Sequence, residues 1–203
     1  MGTFELELDE KYLCSLGKIT ANFATLEQII SFFIWNLVKK DESFGEFVKL
    51  ESPLLYRQFT EFLTSSPDGL KIAPGKRQGQ IITSELSFRQ KIDLLSALYQ
   101  DIVDKPSAVT ALQKLLDRAR QAEDKRNIVT HSLWTMSDKK GKVNRIKATA
   151  RNKKQLNLQI QRMSVEDLES IATEISEVAY EIQTSVIRFY NPSFDAGSLE
   201  ISI

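Results

Sequence analysis

One cysteine and one histidine occur in 203 residues, and the chain carries no net charge. Each scarcity removes a class of function. Cys14 alone cannot build an intrachain disulfide framework or a multi-cysteine metal site, so a reducing, cytoplasmic setting is the economical expectation. With His131 as its only imidazole, the chain is expected to hold no metal and no other cofactor. Lys plus Arg equals Asp plus Glu at 27 each, which removes any inference from overall basicity. Eight Gly and five Pro are too few for a disordered chain. The most apolar run, Ile29 to Val38, is about half of the roughly 20 residues a membrane span needs. The acidic start MGTFELELDEKY lacks the basic stretch and cleavage site of a signal peptide. No membrane partner is expected. GKRQG at 75–79 lacks the Gly-Lys-Ser/Thr ending of a phosphate-binding loop and reads as a turn.

What is present is an ordinary globular composition, 42% apolar and 27% charged, in a length that suits one domain over residues 1–203. Helical spacing dominates. Tyr12, Leu16, Ile19, Phe23, Leu26, Ile30, Phe33 and Leu37 form one stripe along a long first helix. Phe88, Ile92, Leu95, Tyr99 and Ile102 form a second, opened by Ser87 and Gln90 as a capping box. A third stripe, starting after Pro106 and Ser107, runs through Leu112, Leu115, Ala119, Ala122, Arg126, Val129 and Leu133. The fourth joins Leu168, Ile171, Ile175, Val178, Ile182, Val186 and Phe189, started by Ser164 with Asp167 and stopped near Asn191 and Pro192. Cys14 is expected to be a small packing residue.

Between the third and fourth helices the apolar period drops to two. Leu156, Leu158 and Ile160 alternate with polar residues, as in a strand with one buried face, and Val143 to Ala150 is a weaker candidate beside it. The expectation is a mainly α helical bundle of four principal helices, with a small antiparallel β-hairpin between the third and fourth. Residues 41–80 are punctuated by Pro and Gly, which suggests a short helix near Leu54 to Leu63 and a flexible loop over 64–80. The C-terminal FDAGSLEISI alternates at Leu199, Ile201 and Ile203, as a strand added to the hairpin or to another chain would.

Two features carry chemistry. The hairpin region, residues 139–162, holds Lys139, Lys140, Lys142, Arg145, Lys147, Arg151, Lys153, Lys154 and Arg162 without one Asp or Glu. Such a cluster can hold the phosphate backbone of RNA, or it can simply protect an exposed strand edge. The second is KRNIVTHSLW at 125–134. A lone His near a helix end ordinarily just complements the helix dipole, worth about 0.3–1 kcal/mol when charged. Arg126 strains that reading, because an arginine in a packing stripe needs a buried partner, an interface or a phosphate. At roughly 100° per residue, Asn127 and His131 lie about 40° apart around the helix, while Arg126 and His131 lie about 140° apart. A bend near His131, or two copies meeting across a two-fold axis, would bring Arg and His into one cleft. Trp134 and Tyr99 either stack a base or belong to the core, and Glu123 and Asp124 are expected to neutralise Arg126 or Arg120.

Arg126, Asn127 and His131, with four residues between the Arg and the His at the end of a third helix, resemble the motif of the HEPN (higher eukaryotes and prokaryotes nucleotide-binding) domain family. SFRQKIDLL in the preceding helix is similar to what such domains carry there. The resemblance implies a metal-independent endoribonuclease that works as a homodimer with facing motifs, in a toxin–antitoxin or phage-defence setting. It implies RNA as substrate or ligand and an antitoxin or other regulatory protein as partner. Family members that have lost activity serve as nucleotide- or RNA-binding or protein-interaction modules, and that alternative stays open. In the active reading, His131 is the general base or acid, Arg126 stabilises phosphate charge and Asn127 orients the His or a substrate oxygen.

Overall fold

The computed structural model describes residues 8–39, 83–149 and 157–190. Among them are four helices, α1 (Glu10–Lys39), α2 (Phe88–Ile102), α3 (Pro106–Thr130) and α4 (Val165–Tyr190). Three strands stand between α3 and α4: β1 (Leu133–Met136), β2 (Val143–Thr149) and β3 (Asn157–Met163). The chain is thus mainly α, with a small antiparallel sheet in the order β1-β2-β3. No helix among the described residues is long and apolar enough to cross a membrane. The expected short helix near 54–63, the loop at 64–80, Leu156 and the C-terminal alternating segment lie outside the described residues.

Helix starts follow local sequence chemistry. Asp9 receives the amides of Tyr12 and Leu13 at its carbonyl and opens α1. Ser87 forms the expected capping box with Gln90, each bonding the other's backbone amide. Ser164 and Asp167 do the same for α4, at 3.2 and 2.8 Å. Pro106 takes the first position of α3, where its missing N–H costs nothing.

The chain divides into two compact units. The first contains the start of α1 through Leu26, α3 from Asp117, the whole sheet and α4 through Ala179. Its core joins Tyr12, Ile19 and Phe23 of α1 with Ala119, Ala122 and Val129 of α3 and Leu168 and Ile175 of α4. Polar links reinforce it: Asn22 Nδ2 donates to the Ala172 carbonyl at 2.8 Å, and Lys125 pairs with Glu174. The second unit contains the rest of α1, all of α2, α3 through Leu116 and the end of α4. There Phe33, Tyr99 and Phe189 meet as a ring cluster with centroids 5.5 to 5.9 Å apart. Tyr99 therefore belongs to packing, and burial raises its phenol pKa. Lys91, largely buried, is neutralised by Glu27 at 2.7 Å.

Five sequence expectations need correction. The third stripe continues to Leu116 rather than Leu115, and α3 stops at Thr130, so Leu133 leaves the stripe and stands 61% exposed on β1. Leu16 is only half-buried, while the neighbouring Ser15 is buried. Cys14 is exposed and packs against no core. The expected hairpin gains a third strand, β1, whose four residues are too few to show a period. Finally, Leu158 and Ile160 are 56% and 67% exposed. The other face of β3 is not covered either: residues 158–162 are all exposed and only Met163 at the strand's end is buried, whereas on β2 Val143 and Arg145 are buried. Register places Trp134, Arg145 and Gln161 on one face with Met136, Val143 and Met163, while Leu133, Ile146 and Ile160 line up across the other. The Trp134 indole is tied to the Val129 carbonyl of α3, which turns its face inward.

Candidate functional site

The end of α3 is built by side chains from beyond it. Backbone bonding persists to His131, whose amide donates to the Asn127 carbonyl at 3.1 Å. The next two carbonyls have no helical donor left. Ser132 Oγ donates to Ile128 O at 2.6 Å, and Trp134 Nε1 donates to Val129 O at 3.0 Å. Thr130 Oγ1 adds a bond to Arg126 O at 3.0 Å. The chain therefore turns out of the helix directly at His131 and enters β1 two residues later.

This geometry brings the Arg126 and Asn127 side chains together, with His131 one helical turn beyond Asn127. Arg126 Nη1 donates to Asn127 Oδ1 at 2.8 Å. The guanidinium lies over the Phe23 ring, 4.5 Å from its centroid, and its Nε is buried without a hydrogen-bond partner. Phe23 was invisible as a site residue in the sequence, where it is simply one member of the first apolar stripe. His131 is exposed. The helical offset between Arg126 and His131 thus survives folding: one chain points its arginine at Phe23 and its histidine at solvent. Asn127, with Oδ1 engaged by the arginine, keeps Nδ2 as a donor for an incoming oxygen.

The basic cluster is not uniform. Lys139, Lys140 and Lys142 are exposed around the turn joining β1 to β2, where Gly141 takes a φ of 75° that a side chain would strain. Lys147 is half-buried on β2. Arg145 departs from the pattern altogether: it is 7% exposed, opposite Trp134 and Gln161, with Nε and Nη1 buried and unbonded. It does not stand with the lysines on the surface. Arg162 Nη2 bonds Asp138 Oδ1 at 3.2 Å. The Ser137 hydroxyl first, and Arg162 second, hold the Asp138 carboxyl below the ordinary carboxylate range. Arg151, Lys153 and Lys154 lie outside the described residues. Arg120 is paired with Asp117 at 2.7 Å. Among the described residues no three His, Cys, Asp or Glu side chains group as metal ligands would.

Chemically, the end of α3 offers a fixed cation, an amide donor and an exposed base or acid within six consecutive residues, beside a turn bearing three exposed lysines. Compared with protein-family models, curated proteins and solved structures, the chain matches none.

Proposed function

We propose that the chain is a metal-independent endoribonuclease of the HEPN type, acting as a homodimer in a toxin or phage-defence role. The observation that supports this reading best is the Arg126–Asn127 pair held beside an exposed His131 at the very end of α3. In this reading His131 removes the proton from an RNA 2′-hydroxyl. The 2′-oxygen attacks the adjacent phosphorus, the bond to the 5′-oxygen breaks, and the leaving oxygen takes up a proton. The products are a 2′,3′-cyclic phosphate and a 5′-hydroxyl. Arg126 neutralises charge gathering on the phosphoryl oxygens, with Asn127 fixing its fork. Because the two side chains diverge within one chain, a second copy supplies the complementary half of each site. The exposed lysines at 139, 140 and 142 would guide the RNA backbone.

A rival reading, a catalytically silent interaction module of the same family, is favoured by the apolar sheet face that Leu133, Leu158 and Ile160 expose. One experiment separates them. RNA of mixed sequence is incubated with the protein in EDTA, and ends are mapped. Cleavage leaving cyclic phosphates, reduced at least about a hundredfold by His131→Ala and by Arg126→Lys, supports the nuclease. His131→Ala should leave stability within about 0.5 kcal/mol of wild type, since the residue is exposed. Cleavage that survives both substitutions, or an inert wild type, rejects it.

A further inference from the structure

β3 ends the sheet, and its outer edge faces no described strand. Proteins ordinarily blunt such an edge with lysine, proline, a bulge or a short length. β3 has seven residues, NLQIQRM, with no proline and no lysine, and it exposes Leu158 and Ile160. An edge of this kind is usually covered.

We infer that residues 3–7 of this chain, TFELE, dock as a fourth strand on the outer edge of β3. Three observations select this occupant. Phe4, Leu6 and Leu8 alternate with Glu5, Glu7 and Asp9, the period-two pattern of a half-buried strand. Charge is complementary: residues 1–9 hold three acids and no base, whereas residues 139–162 hold nine bases and no acid. Position agrees as well. The first turns of α1 are bound to the first turns of α4, through Ser15 and Lys18 on Glu169 at 2.7 and 3.1 Å, and only Ser164 separates α4 from β3. Leu8, the last apolar residue of the series, is already buried just ahead of α1. Leu8 and Met163 therefore each precede, by one intervening residue, a helix whose first turns are bonded to those of the other. The shared direction of the segment and β3 makes the added pair parallel. The C-terminal alternating segment instead follows the last residue of α4, a 26-residue helix whose first residue is the end next to β3, so it does not share this starting point.

This inference is independent of the nuclease reading, and its test needs no RNA. Amide hydrogen exchange is measured on the full chain, on a variant lacking residues 2–7, on Leu6→Lys, and on a variant lacking residues 194–203. The amides of β3 that do not bond to β2 should be protected in the full chain. Their exchange should quicken about tenfold or more in the first two variants and stay unchanged in the third, with helical circular dichroism preserved throughout. Fast exchange at those amides in the full chain overturns the inference. So does protection that outlasts removal of residues 2–7; dependence on protein concentration would then assign the edge to a second copy, and loss on removing residues 194–203 would assign it to the C-terminal tail.

Discussion

Glu169 gathers Ser15 and Lys18 from α1 onto one carboxylate, with the hydroxyl at 2.7 Å from Oε1 and the ammonium 3.1 Å from both oxygens. The Ser15 bond first, and Lys18 second, hold its carboxyl below the ordinary glutamate range. A depressed folded-state pKa contributes stability that is present above the unfolded value, near 4.3, and is lost as pH falls through the folded value. Glu169→Gln keeps an acceptor for Ser15 but removes the titrating charge. The variant should unfold at lower urea than wild type at pH 7, and the gap should close as pH falls below the unfolded value and through the depressed folded one. A gap that is constant with pH would refute the assignment. Arg126 and Arg145 show the limit of reading residue types alone. Both are arginines in apolar settings, yet one lies over Phe23 and bonds Asn127, while the other is buried in the sheet with two nitrogens unbonded.

At the scale of elements, starts were easier to read than ends. Ser87 and Gln90, and Ser164 and Asp167, act within four residues of the chain, so the caps of α2 and α4 are written locally. The end of α3 is not. Its last carbonyls are satisfied by Ser132 and by an indole from β1, a device with no fixed spacing. Trp134→Phe should therefore cost about 1 kcal/mol in chemical denaturation, because Val129 O loses its donor with little change of volume. Ser132→Ala should behave similarly, whereas an unchanged midpoint in both would remove the side-chain cap. The sheet makes the same point. Alternation in NLQIQ correctly marks a strand, but a period of two says which residues share a face, never which face is covered.

For the whole molecule, zero net charge hides a strong asymmetry between the basic segment 139–162 and the acidic first nine residues. The proposed nuclease needs two copies, since Arg126 and His131 point apart in one. Sedimentation at micromolar protein should give twice the 23.1 kDa chain mass, and Phe23→Arg, which places a second cation against Arg126, should abolish RNA cleavage. A monomer that still cleaves would break the composite site while leaving the catalytic roles to be reassigned.

Composition and periodicity by themselves determined the four helices, two of the three strands and the segment where an arginine, an asparagine and a histidine gather. They do so because amphipathic stripes and end caps are properties of neighbouring residues. Tertiary structure alone decided that Arg126 meets Phe23, that Arg145 is buried while Lys139, Lys140 and Lys142 are exposed, and that β3 is exposed from Leu158 to Arg162. Those outcomes depend on which surfaces compete for the limited cover a small sheet can find. Trp134, bonded to the last turn of α3, settles that competition for its own face.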